Sequence, residues 1–599
     1  MQSKIDERHW DLSDLHDTVD VNATQPVLDT IFKRAHAFLE KYKGQVASLN
    51  ATDLHAALLD YEAIKSDFYQ ISQFAHLNYA VDIKDPNILK FVSKIDDVGS
   101  QLSNVLLFFF LEIGAVSDAC LASWLSADVL TNYKYPLDQA VKKHRYRLSE
   151  KEEQLINLKD VNGTDALRKL YGEHTAQYTF KVQVDGEEKT MNGSECRTLR
   201  YHKDPKVRAN AMQTFFAQYQ ADDHIVTHLF NSIIKDYNIE RSHRGYQLPI
   251  EPMNMGNDLP NDLVQMLHKV TTDSNHLVQD YYRLKQQILG LDTMTLADIY
   301  APMETNPVDI SWDDAKQTVL DSFKAFDADF YNYAKDMFDA QRLDVFPSKV
   351  KRGGAFCSSS HPKVRPYVML NFLNKQRDVA TLAHELGHAI HAYFSAEQPL
   401  INYHAILPVC ETASVFSEML VIDALKKQAK TPQERMVILS TKLEDIFATS
   451  HRQNMFSRFE QAAHDGIVEG RLSSKELCDL YLNELKCMFG DAVTITEEYH
   501  WEWSTIPHML DVPFYVYSYN FGNLLVLGLY QLYLEEGASF VPKLKRILQA
   551  GSSKSPIQLL ADEGIDICSE SFWQGSIAFI ANLLQELKDI VNAPDFSRS

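Results

Sequence analysis

The chain has 599 residues and a formal net charge of −22, from 81 acidic and 59 basic side chains. So acidic a surface repels phosphate backbones and argues against nucleic acid as a partner. The length exceeds one compact core, so two or three packed subregions or one large two-lobed body are expected. A hydrophobic share of 45% with 23% charged residues is that of a folded soluble chain, and 22 Gly with 20 Pro is sparse enough to favour long helices over a β-sandwich or disorder.

Residues 1–10 show no apolar stretch behind basic residues, so no secretory leader is expected. The apolar runs 105–111 and 524–529 fall far short of the ~20 residues that cross a bilayer. Both predict buried helix segments, and no membrane association is expected. Ser149 and Glu152 have capping-box spacing ahead of an apolar periodic stretch. Tyr178, Phe180, Val182 and Val184 then alternate with Thr179, Lys181 and Gln183, and Asp185-Gly186 supplies a tight turn, which predicts a small hairpin. Residues 261–291 carry apolar side chains at helical spacing behind Pro260, a good first helical position. Residues 353–358 with 366–372 are a second β candidate. Residues 374–397 contain no proline and predict a helix. Thr431, Pro432 and Glu434 supply a capping threonine, a first-turn proline and a glutamate three residues on, and the helix they open is expected to reach about Asp465. The seven cysteines (120, 196, 357, 410, 478, 487 and 568) include no pair at metal-binding spacing. They fit a reducing cytoplasm, where thiols pack as small apolar groups.

The chemistry concentrates at His384-Glu385-Leu386-Gly387-His388. On a helix, residues four apart share a face, so the two imidazoles can hold one ion. Zinc takes imidazole nitrogens at ~2.0–2.1 Å and prefers four ligands, which leaves room for a third side chain and a water. Glu385 stands where it can take that water's proton. The bland alternative is a helix with two partly exposed histidines. Pro399 and Pro408 end the motif helix and open a new one near Pro408. Glu411, at the start of that new helix, would be the third ligand if the helix packs back against the first; otherwise it is a first-turn acid complementing the helix dipole. Glu418, two turns further on, is either a partner for a ligand histidine or a solvated charge. His391 is read as a neighbour and not a ligand, and Asp378 as a helix-start acid or an outer partner. Ligand type alone selects zinc over manganese or cobalt only loosely.

The run from Asp378 to His388, followed by Glu411-Thr-Ala-Ser-Val-Phe-Ser-Glu418, resembles the thimet oligopeptidase family of zinc metallopeptidases, and within it the bacterial oligoendopeptidase F branch. Gly353-Gly-Ala-Phe-Cys357, Val368-Met-Leu-Asn-Phe372, Ile506-Pro-His508 and Pro513-Phe-Tyr515-Val-Tyr517-Ser-Tyr519 resemble further parts of that family. The resemblance implies a mainly α, large two-lobed zincin-like body with a deep central channel and small β-hairpin elements. It implies an N-terminal helical region (1–110), a helical region with a hairpin (111–200) and a catalytic region (201–590). His384, His388 and Glu411 would bind one zinc ion, with Glu385 as acid and base. His508 and one or more of Tyr515, Tyr517 and Tyr519 would donate hydrogen bonds to the developing oxyanion. Short peptides would be cut internally. A related helical zinc carboxypeptidase and a non-catalytic peptide-binding homologue are the competing readings, and the intact Glu385 with all three ligands speaks against the second.

Overall fold

The structure, a computed structural model, describes residues 8–303, 309–594 and 596; most of the N-terminal stretch read for a leader lies outside them. Helices dominate, with a two-stranded and a three-stranded sheet among the described residues. The chain gathers into two compact units that interleave along the sequence. One comprises Met1–Arg145, Pro307–Gln428 and Leu532–Asp566, the other Tyr146–Asn306, Ala429–Gln531 and Ile567–Ser599. Both the 111–200 and the 201–590 segments are thereby divided between the units. No single helix among the described residues is long and apolar enough to cross a membrane.

In the first unit, helices Val21–Tyr42, Ala51–Val81 and Pro86–Gly114 start where Asp20, Asn50 and Asp85 accept their first free N–H groups. They close on an aromatic core that includes Phe38, Tyr42 and Phe109 and extends to Tyr367. The run 105–111 is only half buried: Phe108 and Phe109 face this core, while Leu107 is 56% exposed. A continuous apolar run on a helix wraps around all faces, so one side of it points outward.

Two short strands realise the second β candidate. With β1 (Phe180–Val184) and β2 (Glu187–Met191) belonging to the hairpin of the other unit, the sheet here contains β3 (Leu343–Asp344), β4 (Phe356–Ser358) and β5 (Tyr367–Met369) in the order β3-β5-β4. β4 runs antiparallel to β5 and β3 parallel to it. β4 is therefore an edge. β3 has two residues and too short a pattern to read from sequence.

The motif helix, Gln376–Phe394, begins where the Asp378 carboxylate accepts the N–H groups of Leu373 and Lys375 at 2.7 and 3.0 Å. Asp378 is thus a capping acid. Val379, Leu382, Ala383, Leu386, Ala389 and Ile390 are fully buried along one stripe. The chain then passes a short turn, Leu407–Cys410, and resumes as helix Thr412–Gln428. Glu411 sits at the break between them (φ −85°, ψ 2°), and its carbonyl accepts the Val415 N–H at 3.1 Å. The two helices touch backbone to backbone at Gly387. A Cβ there would stand 2.5 Å from the Ser414 Cα and 2.6 Å from the Ala413 carbonyl oxygen.

In the second unit the hairpin forms as expected. Asp185 and Gly186 both take positive φ (54° and 87°), the turn that matches strand twist, and Phe180, Val182 and Val184 point inward. The stretch 261–291 is two helices, Asn261–Asp273 and Asn275–Leu289, and Pro260 caps the first in extended conformation instead of entering it. Ser274 competes for local backbone groups, its hydroxyl donating to the Thr271 carbonyl at 2.7 Å, while the Asn275 amide leaves the helix to donate to the Cys487 carbonyl at 3.1 Å. The helix opened by Thr431 likewise stops at Thr449 and restarts at His451, with Ser450 between. The Ser149–Glu152 capping box forms, yet the apolar residues behind it lie outward, with Leu155 58% and Leu158 73% exposed. The run 524–529 is buried throughout, as expected.

The Gly387 contact has no flexible atom to yield. Gly387→Ala should therefore force the helix pair apart and cost on the order of 3 kcal/mol, the upper end for overpacking. Metal content after dialysis and the denaturation midpoint should both fall; an unchanged midpoint would show that the backbones can part freely.

Candidate metal centre

His384 and His388 lie one turn apart on the motif helix, their rings edge to face with centroids 4.9 Å apart. The Glu411 Oε2 stands 3.4 Å from His384 Nε2 and 3.3 Å from His388 Nε2. Two ligands each ~2.1 Å from a common zinc ion at the tetrahedral angle are ~3.4 Å apart, so these separations are tetrahedron edges. One ligand atom from each of the three side chains lies within 4.8 Å of the others. The donor set, two imidazoles and a carboxylate, fits zinc with a coordination position left over.

The surroundings hold these groups. The Ser414 hydroxyl donates to Glu411 Oε2 at 2.6 Å. Glu418 Oε2 lies 3.6 Å from His384 Nδ1, on the side of the ring away from the nitrogen that meets Glu411. Burial pushes the Glu411 carboxyl up, but the His388 hydrogen bond, the electrostatic pull of His388 and His384, and Ser414 outweigh it and hold it at about 2. His384 is opposed by burial and lifted by Glu418, Glu411 and Glu385 to about 9. Glu385 is buried beside the pair, and burial raises it above the usual carboxylate range against the pull of His384 and His388. A raised carboxyl is the setting a general base needs near neutral pH. Glu385 and both histidines line a cavity of about 780 Å³ whose wall includes Ala355, Phe356, Cys357 and Ser358, so the edge strand β4 borders it. His391 lines the cavity too, buried and held down at about 4, and stands outside the ligand set.

The remaining candidates form a cluster in the second unit. The His508 ring lies 6.4 Å from Tyr515 and 6.3 Å from Tyr519, and those two tyrosines meet edge to face at 5.1 Å. Tyr515 and Tyr519 are four residues apart and share a side of the chain as it enters helix Tyr517–Glu536. Tyr517 points the other way. It is fully buried, and its hydroxyl accepts the Asn257 side-chain N–H at 2.8 Å. The turn behind the cluster depends on Phe514, which takes φ 62° and donates its N–H to Glu460 Oε1 at 2.7 Å. Glu460 is wholly buried, which pushes its carboxyl well above the usual range, with only the Phe514 N–H opposing. Sequence reading overlooked Glu460, Ser414 and the packing role of Gly387. A glycine central in an otherwise apolar helix stripe was a signal for the last; the other two carry none.

Residues 198–579 match the family model described as Peptidase family M3, and residues 112–180 match the one described as Oligopeptidase F. Oligopeptidase PepF of Bacillus subtilis is 27% identical over 563 residues, covering 92% of this chain and 83% of its own. The Borreliella burgdorferi oligoendopeptidase F homolog is 25% identical over 558 residues, covering 92% and 93%. A crystal structure from Chlamydophila abortus has the same fold, with a TM-score of 0.87 at 22% identity over 98% of this chain and 99% of that one. Oligoendopeptidase-F from Enterococcus faecium superposes with a TM-score of 0.71 at 21% identity, over 96% and 100%.

Two measurements follow from these environments. Metal binding must displace the His384 proton, so zinc affinity should rise about tenfold per pH unit until pH ~9 and then level off; a chelator competition titration that is flat from pH 6 to 8 would contradict this. Burial favours the neutral form of the Glu460 carboxyl, so Glu460→Gln should keep the Phe514 bond and the stability. Glu460→Leu should lose about 1–3 kcal/mol by orphaning that buried N–H, read by chemical denaturation.

Proposed function

The chain belongs to peptidase family M3, and from that membership we propose that it is a zinc-dependent oligoendopeptidase of the oligoendopeptidase F branch, with His384, His388 and Glu411 holding one ion and Glu385 moving the proton. The observation that carries the assignment of residues is the convergence of Glu411 Oε2 on both imidazoles at 3.3 and 3.4 Å. Metallopeptidase chemistry and peptide substrates come with the family. Zinc over manganese or cobalt, the single ion and the residue roles are the proposal's own.

When bound, zinc polarises the scissile carbonyl and acidifies the attacking water. Glu385 accepts that water's proton and delivers it to the leaving nitrogen. His508, the half-buried Tyr515 and the exposed Tyr519 are the donors assigned to the oxyanion. Tyr517 is left out, since its hydroxyl is engaged with Asn257 in the core. Among the described residues no further strand covers the outer edge of β4. An extended peptide can add there through main-chain bonds, which tolerates many sequences. The catalytic region is taken as 201–590. A reducing cytoplasmic setting agrees with seven free cysteines.

A quenched peptide blocked at both termini separates this reading from a carboxypeptidase, because only internal cleavage releases its fluorescence. Wild type should cut it. Glu385→Gln should lose about 10²–10⁴ in kcat while metal content stays the same, and His508→Ala about 10²–10³. Equal rates for wild type and Glu385→Gln would end the mechanism, and an uncut blocked peptide would end the endopeptidase assignment.

A further inference from the structure

The second unit contains a cavity of about 270 Å³ bordered by Arg197, Arg200, Arg452 and His508. Its charges do not balance. Arg452 is buried and pairs with Glu502, whose other oxygen accepts the Tyr481 hydroxyl at 2.7 Å. That carboxylate is spent. Arg197 donates to the Thr505 carbonyl at 3.2 Å and lies 4.9 Å over the Phe215 ring. Arg200 lies 4.3 Å over Tyr300 and 5.0 Å over Tyr201, and donates to the Tyr201 hydroxyl at 3.1 Å. Its Nε is buried with no hydrogen-bond partner. Among the described residues neither Arg197 nor Arg200 pairs with a carboxylate. Three guanidinium groups therefore face one acid, in a chain whose net charge is −22.

A buried donor without a partner costs free energy that a ligand can recover. Guanidinium planes held on aromatic faces are pre-organised, so little rotamer freedom remains to be lost on binding. Their fork matches a carboxylate. The cavity is smaller than the ~300 Å³ of the smallest common ligand pockets, which suits one residue of a peptide. His508 lines the same wall, and the peptidase reading puts His508 against the reacting peptide. We propose that this cavity is a carboxylate subsite for peptide substrates, with Arg200 and Arg197 as its donors and a free C-terminus or an acidic side chain as its occupant. The subsite rests on the peptidase reading for its substrate class. It also answers the electrostatic problem that reading raises, because an acidic surface repels anionic peptides unless a local cation site receives them.

The test uses the zinc-loaded Glu385→Gln chain and calorimetric titration with short peptides. One arm compares a free C-terminal acid with its carboxamide. A second compares Glu with Gln at each position of an amidated peptide. In at least one arm the carboxylate should bind on the order of 10- to 100-fold tighter, and which arm responds identifies the source. Adding Arg200→Gln should remove that gap while leaving the carboxamide's affinity unchanged; Arg200→Lys should keep part of it. A gap that survives Arg200→Gln would place the carboxylate elsewhere, including on the metal, and overturn the proposal. So would equal affinities throughout, or an equal loss for acid and amide. Wild-type cleavage of the same peptides reads the peptidase assignment separately: no cleavage with an intact Arg200-dependent gap would sink that assignment and leave the subsite.

Discussion

At Gly387 the motif helix rests directly on the backbone of Ala413 and Ser414, with no side chain between. This contact sets the distance from which everything else at the metal centre follows. Helices packed through side chains stand 8–10 Å apart; a glycine facing a bare stretch of backbone permits a closer approach. Only then does the residue before Thr412 arrive within 3.4 Å of two imidazoles on the neighbouring helix. The same approach brings Glu418, two turns along, behind His384. One missing Cβ thus places Glu411, at the break just before helix Thr412–Gln428, and Glu418, on that helix, together beside His384.

The electrostatics of the site are arranged for a cation. Glu385, Glu411 and Glu418 surround two histidines, and in the metal-free chain the protons settle where they offset that negative charge: His384 is lifted to about 9 and Glu411 held at about 2. These opposite shifts describe one interaction seen from two sides. In the proposed metal site a divalent ion would take the place of the His384 proton as the counter-charge, so the burial of the carboxylates would be compensated in both states. Glu385 differs from Glu411 because its shift is dominated by burial and not by a partner. These opposite directions suit the different parts proposed for the two glutamates, Glu411 as anion and Glu385 as proton carrier.

What the sequence disclosed follows the range of the interactions. His384 and His388 are related by a single helical turn, the Asp185-Gly186 turn by two residues, and the Ser149 and Thr431 caps by three, so each was readable. Glu411 was reachable because prolines at 399 and 408 marked where the chain must turn. The breaks at Ser274 and Ser450 were missed because apolar periodicity carries across a one-residue interruption. The outward face of Leu155 and Leu158 was missed for a different reason: periodicity gives the stripe but not what covers it. Tyr515, Tyr517 and Tyr519 look equivalent in sequence, and only the left-handed turn at Phe514, pinned by a glutamate 54 residues earlier, separates the fully buried Tyr517 from the other two. The unbalanced arginines come from segments about 250 residues apart, 197–200 and 452, and nothing local announces them.

Each half of the machinery is shaped inside its own unit. The proposed metal ligands, Glu385 and the edge strand β4 belong to the first, where the Gly387 contact brings Glu411 to the histidines; His508, Tyr515, Tyr519 and the arginine cavity belong to the second, with Glu460 behind the tyrosine turn and the arginines stacked on Tyr201, Tyr300 and Phe215. The chemical demands differ accordingly. Cleaving an amide needs a hard, nearly invariant arrangement of ion, base and carbonyl. Backbone contact and buried carboxylates provide that without reference to the substrate's side chains. Choosing among peptides needs groups that respond to charge and shape, and stacked guanidinium planes do so at little cost in ordering. On the proposed roles, substitution at Arg200 changes which peptides are preferred while the backbone contact at Gly387 is left untouched.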